Sequence, residues 1–128
     1  MTSVEVPYSI ASALPSLTVL DITNDVRREL ASSGYGSGIA YIWPIDDIAL
    51  VRVQERESGF FSDLEELLTR LVPHDERERE RLLCLLLGPR SEQIPFAGGE
   101  LCLGQWQRIL LLGFDRPSEP RWSLTLLG

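Results

Sequence analysis

Two neighbouring carboxylates, Asp46 and Asp47, are the strongest candidates for chemistry in the sequence. They follow Pro44 at the end of an apolar run, where a buried strand is expected to reach the surface. Paired carboxylates can hold Mg²⁺ through their oxygens or act as general acid and base. The same pair also suits a turn, because Asp side chains accept hydrogen bonds from nearby backbone amides. Glu55 is a further candidate, and it equally fits a solvated strand end.

Nitrogen and sulfur ligands are scarce in this chain. His74 is its only histidine, and Cys84 and Cys102 are its only cysteines. A catalytic zinc site needs about three protein ligands, so we expect no histidine-based metal site and no resident cofactor. Both cysteines lie in apolar runs, which predicts two buried free thiols in a reducing cytoplasm.

Composition limits the classes of partner. The net charge of −7 argues against nucleic acid, because binding a phosphate backbone requires a basic surface. No apolar run approaches the ~20 residues that a membrane span requires, and residues 1–10 lack the basic start of a signal peptide. All 12 basic residues are arginine, which fits either a hot habitat or a GC-rich genome.

Arginine and glutamate alternate over residues 76–81. Arg77, Arg79 and Arg81 are able to bind a phosphate if they share one face. The intervening glutamates favour a self-neutralised surface as the simpler interpretation.

Apolar alternation and turn residues predict eight strands. They cover Ser3–Ile10, Leu17–Ile22, Gly38–Trp43, Ile48–Glu55, Gln93–Phe96, Glu100–Leu103, Trp106–Phe114 and Arg121–Leu127. The third of these strands is an almost continuous apolar run, which predicts burial on both faces.

Helical periodicity is clearest over Ser58–Leu71, where apolar residues recur at spacings of three and four. We expect Ser58 to cap this helix and Glu65 to face solvent. Thr23 or Asn24 is expected to cap a shorter helix, which stops at Gly34, the residue type that most readily adopts a left-handed conformation. A third helix is expected over Glu76–Leu87, capped by Asp75.

Strands with two or three inserted helices, followed by a run of hairpins, predict an α+β fold. We expect one domain over residues 1–128, in which the sheets pack in a compact, sandwich-like arrangement around a single core.

Several short motifs share an order and spacing with a known family. They are Leu20-Asp21-Ile22-Thr23-Asn24-Asp25-Val26, Arg70-Leu71-Val72-Pro73, Leu86-Leu87-Gly88-Pro89, and Leu103-Gly104-Gln105-Trp106-Gln107 followed by Phe114-Asp115-Arg116-Pro117. In these residues the chain resembles the YjbQ-like family, from about residue 19 to residue 128. The resemblance implies a compact α+β sandwich that assembles as a homotrimer. It also implies a link to the weak thiamine-phosphate-synthesising activity of that family.

The family's polar site is the part of the resemblance that this chain does not keep. The family has His-Thr-Thr after a strand and proline, a Glu on the next strand, and a histidine pair before Leu-Leu-Gly-Pro. The matching positions here are Ile45, Asp46, Asp47, Gln54, Arg79 and Arg81. Isoleucine has no lone pair, arginine is a permanent cation that repels a metal ion, and glutamine cannot take a proton as a carboxylate can. The family's Trp-Gln motif makes Trp106 and Gln107 ligand-binding candidates, although a tryptophan there also fits the core or a trimer contact.

Three functions remain open. The first is a site-degenerate, non-catalytic trimer that binds a small ligand or partner. The second is an enzyme of the thiamine-phosphate-synthase type with a rewired carboxylate site, and the third is a subunit that acts only with an intact paralogue. A solvent-filled cleft that gathers Asp46, Asp47, Glu55 and Gln107 would favour the second function, whereas an apolar or filled cavity there would favour the first.

Overall fold

The turns and periodic segments of the sequence become eight strands and three helices in the computed structural model, which describes residues 8–9, 17–114 and 121–128. The strands are β1 Tyr8–Ser9, β2 Leu17–Asp21, β3 Gly38–Pro44, β4 Ala49–Glu55, β5 Glu92–Ala97, β6 Glu100–Leu101, β7 Gln107–Phe114 and β8 Trp122–Leu127. The helices are α1 Thr23–Ser33, α2 Ser58–Leu71 and α3 Arg79–Leu86. The predicted turns at residues 13–16 and 115–120, and most of the predicted first strand, lie outside the described residues.

The strands form two antiparallel sheets. Sheet A has the order β1-β2-β7-β4, and sheet B has the order β6-β5-β3-β8. The hairpin between β5 and β6 turns through Gly98 and Gly99, whose φ values of 61° and 76° are those that a tight hairpin requires. Two antiparallel sheets with three helices confirm the predicted α+β architecture.

Sheet A lies in the middle of the molecule and is covered on both faces. One face packs against the inner face of sheet B, and the other packs against α2 and α3. Its strand β7 is buried from Ile109 to Phe114 because both faces are covered. Helix α1 packs against the inner face of sheet B through Leu30, beside Ala40 and Phe96.

Strand β3 differs from its prediction. Ala40 and Ile42 face the inner core and are fully buried, but Ile39, Tyr41 and Trp43 point outward and are 37–50% exposed. The prediction of burial on both faces is therefore wrong within a single chain. A continuous apolar run indicates that neither face of a strand carries polar side chains. It does not show which residues, if any, cover each face.

Helix α1 begins without the predicted cap. Its N-cap residue is Ile22, which makes no side-chain capping bond. The backbone N–H of Thr23 donates instead to Asp21 Oδ1 at 3.0 Å, and the Thr23 hydroxyl donates to the same oxygen at 2.6 Å. The predicted stop is confirmed, because Gly34 ends the helix in a left-handed conformation with φ 79°.

Helix α2 has the predicted bounds but a different cap and a narrower buried face. The Glu57 carboxylate, not Ser58, accepts bonds from the backbone N–H groups of Gly59 and Phe60, both at 2.7 Å. Glu65, which was expected to face solvent, is buried beside Phe61 and Leu68. None of the described helices is long and apolar enough to cross a membrane.

Helix α3 is shorter than predicted, and Asp75 does not cap it. It begins at Arg79 after a turn in which the N–H of Glu76 bonds to the carbonyl of Pro73. The alternating charges of residues 76–81 add little stability to a helix, because favourable i,i+3 pairs are offset by like charges at i,i+4.

Residues 87–90, which follow α3, run beside strand β4, at the edge of sheet A. The N–H of Val51 donates to the carbonyl of Arg90 at 2.8 Å. The Arg52 guanidinium donates to the carbonyls of Leu87 and Pro89. In return, Arg90 Nε donates to the carbonyl of Ala49 at 3.0 Å. Arg52 thus donates from β4 to the segment, and Arg90 donates from the segment to β4.

Candidate functional site

A cleft of about 840 Å³ lies between α3 and the turn from β3 to β4. This volume is in the range of small-molecule pockets. Asp47 lines the cleft from the turn and Arg81 lines it from α3. These are two of the positions that the family resemblance assigns to its polar site, so the cleft is the part of the structure where remaining chemistry is best sought.

The charges of the cleft cancel. Three arginines, Arg77, Arg81 and Arg90, face three carboxylates, which belong to Asp47, Glu78 and Glu80. Arg81 Nη1 lies 3.6 Å from Glu78 Oε1 on the exposed rim, and Arg90 donates to the backbone carbonyls of Ala49 and Asp46. The phosphate-binding arginine row does not form, because Arg79 turns inward and is 1% exposed.

Cys84 also lines the cleft and is buried. Burial raises the pKa of the Cys84 thiol, and the charge of Arg90 only partly offsets this rise. A protonated buried thiol is a poor nucleophile. Cys102 is a free thiol as well, but it is exposed, so its predicted burial is wrong.

Asp46 points away from the cleft and ties the turn to β8. Its Oδ2 accepts a bond from the backbone N–H of Arg121 at 2.6 Å, and its Oδ1 lies 3.5 Å from Arg121 Nη2. The bond joins residues 75 positions apart, so it is not the bond to a nearby backbone amide that the turn interpretation predicts. The adjacent carboxylates therefore do not share one ligand position.

Gln54 and Glu55 lie at the opposite end of β4. At about 3.3 Å per residue, the two ends of this seven-residue strand are roughly 20 Å apart. Gln54 lines a small groove of about 150 Å³ beside Phe60 and Leu64. Glu55 pairs in register with Gln107 on β7. The structure thus brings Glu55 and Gln107 together but separates both from Asp46 and Asp47.

Trp106 and Gln107 lie in and just after the turn that leads into β7. Trp106 is 67% exposed. Gln107 Oε1 accepts a bond from the backbone N–H of Gly104 at 2.7 Å, so its carbonyl oxygen stabilises the turn. Their assignment as ligand-binding residues stays a prediction.

The family's histidine positions are dispersed. Ile45 is half exposed and lines a groove beside α1 and β8. Arg79 is buried, and its Nε donates to the carbonyl of Val72 at 2.8 Å. Arg81 lines the cleft, whereas His74 lies outside it with its Nε2 3.2 Å from the Thr69 hydroxyl. Within residues 8–9, 17–114 and 121–128, no group of three or more His, Cys, Asp or Glu side chains is placed to hold a metal ion.

A polar cluster that the sequence analysis did not single out surrounds Asp21. Its side chain is 3% exposed, and its Oδ2 accepts bonds from Arg108 Nε at 2.8 Å and Arg56 Nη1 at 2.9 Å. Burial alone would raise the pKa of Asp21, but the bonds from Arg108 and Thr23 outweigh it and hold the pKa below its ordinary value. The Thr23 hydroxyl in turn accepts a bond from the N–H of Ile109 at 2.8 Å. Because these bonds join β2, β7 and the end of β4, the cluster is part of the scaffold.

The outer face of sheet B is the second feature that the sequence did not reveal. Its outward-pointing side chains on β3, β5 and β8 are all uncharged; they are Ile39, Tyr41, Trp43, Gln93, Pro95, Ala97, Ser123, Thr125 and Leu127. In a chain with 24% charged residues, such a face is typical of a protein interface.

Comparisons with known proteins agree with this architecture. A model of the family described as "UPF0047 protein YjbQ-like" matches residues 13–128. A UPF0047 protein of Archaeoglobus fulgidus is 32% identical over 112 residues, which cover 80% of this chain and 86% of that protein. A second UPF0047 protein, from Methanothermobacter thermautotrophicus, is 30% identical over 119 residues, which cover 86% of this chain and 82% of the relative.

Solved structures give the same result. A hypothetical protein of Aeropyrum pernix K1 superposes with a TM-score of 0.77 at 31% identity, covering 88% of this chain and 90% of that one. A structural-genomics target from C. acetobutylicum superposes with a TM-score of 0.78 at 25% identity, covering 95% and 98% of the two chains.

Proposed function

Since the chain belongs to the YjbQ-like family, UPF0047, we propose that it is a site-degenerate, non-catalytic member that acts as a homotrimer and binds a small ligand. The observation that carries this proposal is the separation of its remaining carboxylates. Asp46 bonds to Arg121 and Asp47 lines the cleft, while Glu55 lies at the far end of β4. General acid–base catalysis needs both groups within hydrogen-bond reach of one substrate.

The replaced family positions support the same proposal. Arg79 is held inside the fold by its bond to the Val72 carbonyl. Gln54 lies beside apolar side chains, and Ile45 offers no lone pair. None of these three side chains is able to act as a general base.

The homotrimer is supported by two surfaces with exposed apolar side chains. A closed ring of three copies uses one head-to-tail interface, so each copy must present two different complementary surfaces. The outer face of β3, β5 and β8, which includes Tyr41 and Trp43 and has no charged side chain, supplies the first. The outer side of α2 and α3 supplies the second, with Leu71, Leu85 and Leu86 each 60–78% exposed.

We expect the protein to act in the reducing cytoplasm, since Cys84 and Cys102 are both free. The two other functions, a rewired enzyme and a subunit of an intact paralogue, are outcomes of the first experiment below.

The natural chain is expected not to form thiamine phosphate, with or without Mg²⁺. The assay compares it with an Asp46→Asn, Asp47→Asn double variant and with a YjbQ-like protein that keeps the family histidines as the positive control. A working general base contributes about 10²–10⁴-fold in rate, so its presence would be easy to detect. Turnover by the natural chain that the double variant loses, with the fold intact, would establish the rewired enzyme instead. Turnover that appears only on mixing with the histidine-bearing protein, and exceeds what that protein shows alone, would establish the paralogue subunit.

A particle of about 43 kDa, three times the chain mass of 14.4 kDa, is expected from light scattering at micromolar concentration. Trp43→Glu places a charge at the centre of the uncharged face and should shift the mass toward that of one chain, because burying an unpaired charge is costly. Asn24→Asp, on an exposed position of α1, adds the same charge elsewhere and should leave the mass unchanged. A natural chain that scatters as a monomer would contradict the proposed trimer. A Trp43→Glu variant that stays at about 43 kDa would show that the outer face of sheet B is not its interface.

A further inference from the structure

A second groove, of about 620 Å³, lies between the C-terminal part of α1 and the inner side of β8, the edge strand of sheet B. It shares no described lining residue with the cleft at α3. Its position at an open edge of the sandwich gives a small molecule access without any movement of the fold.

The electrostatics of this groove favour positive charge. Glu29 is the only charged side chain among its described lining residues. Helix α1 ends at Ser33 and has no basic residue in its last turn, so the partial negative charge of its terminal carbonyls is not neutralised there. The family resemblance places a histidine at Ile45, another lining residue, and the isoleucine leaves the groove without a group able to become a cation.

The rest of the lining combines three serines, Ser32, Ser33 and Ser123, with aromatic and aliphatic side chains. Trp122, Leu124 and Leu126 project from β8, and Tyr35 approaches from the segment after α1. The position of the Tyr35 ring is restricted by the backbone of Gly128, where an added Cβ would lie 2.7 Å from Tyr35 Cδ1. Indole and phenol rings attract cations through their faces, and the attraction is strongest for tryptophan.

We propose that this groove binds a small organic cation, of the quaternary-ammonium or alkylated-amine class. Glu29 and the end of α1 provide the negative potential, and the rings of Trp122 and Tyr35 contact the alkyl groups that surround the charge. The site shares no described lining residue with the cleft at α3, and Ser123 is the one residue it shares with the outer face of sheet B as described above.

The test uses choline and its neutral isostere 3,3-dimethylbutan-1-ol as probes of the full chain. Choline should produce a saturable shift of the Trp122 indole N–H resonance, and the neutral alcohol should produce a much weaker one. Glu29→Gln and Trp122→Leu should each weaken choline binding by roughly 3- to 30-fold, the range that corresponds to one cation–π or comparable charge contact. Ile45→Arg should abolish binding by adding a permanent cation, whereas Ile45→Met should retain it.

Controls separate this groove from the rest of the surface. Glu80→Gln in the cleft and Trp43→Leu on the outer face of sheet B should leave the affinity unchanged. Trp122 is partly buried, so Glu29→Gln on the helix surface decides the outcome if Trp122→Leu does not fold. Equal binding of choline and the alcohol, an unchanged affinity in Glu29→Gln, or no saturable shift up to tens of millimolar choline would each overturn the proposal.

Discussion

Asp21→Asn is expected to lower the free energy of unfolding by about 3 kcal/mol at neutral pH. The substitution removes the negative charge that Arg56 and Arg108 share at 2.8–2.9 Å. Both arginines keep some access to water, since their side chains are 38% and 24% exposed. The loss is therefore at the lower end of the range for breaking a buried ion pair.

The same substitution should change the response to acid. Because hydrogen bonds hold the folded-state pKa of Asp21 below its ordinary value of 3.8, the carboxylate stabilises the fold fully above that pH. Its contribution is lost as pH falls below 3.8 and through the lower pKa of the folded state. The natural chain should therefore lose more stability than the variant as the pH is lowered through this window.

Urea unfolding at pH 7 and at successive steps below pH 5 measures both effects. Asp63→Asn, on the exposed side of α2, is the matched control and should behave like the natural chain. An Asp21→Asn variant with the natural unfolding midpoint at pH 7 would show that the cluster does not stabilise the fold.

Arg79→Leu is expected to cost about 3–5 kcal/mol, although arginine at this position departs from the family pattern. The substitution removes a buried cation and leaves the carbonyl of Val72 without the bond from Arg79 Nε. Arg81→Leu, two residues along the same helix on a side chain that is 77% exposed, should cost less than about 0.5 kcal/mol.

A double-mutant cycle tests whether Arg79 and Glu65 balance each other's charge. Glu65 is 6% exposed on α2, and buried charges are rarely stable unless they are paired. We expect Arg79→Leu combined with Glu65→Leu to cost clearly less than the sum of the single substitutions. Strict additivity in chemical denaturation would mean that each of the two charges is balanced by other groups.

The elements of the fold were largely predictable because local signals define them. The spacing of Phe61, Leu64 and Leu68 predicted a helix whose bounds match those of α2, and Gly34 correctly predicted the end of α1. The cap of α2 was missed because Glu57 bonds through a long side chain from outside the apolar pattern. The length of α3 was missed because alternating charges extend a helical pattern without stabilising a helix.

The site was less predictable because its geometry depends on contacts between distant parts of the chain. Asp21 meets Arg108 across 87 positions of sequence, and Asp46 meets Arg121 across 75. The pairing of Asp46 and Asp47 in sequence suggested a shared ligand, but Asp46 bonds to the backbone of Arg121 whereas Asp47 lines the cleft. Burial of Glu65 was equally hidden, since its sequence neighbours are typical of a solvent-facing helix side.

The exchange of bonds between β4 and residues 87–90 bears on how copies of this chain can associate. An exposed edge strand offers unpaired N–H and C=O groups on which another chain can add a strand, the route that leads to fibrils. Here the carbonyl of Arg90 accepts a hydrogen bond from the N–H of Val51, and Arg90 Nε donates to the carbonyl of Ala49. Arg52 also donates to the carbonyl of Pro89 in the segment that covers the strand. These bonds block the addition of a strand at Ala49 and Val51, and Arg52→Ala should therefore increase thioflavin-positive aggregation on prolonged incubation.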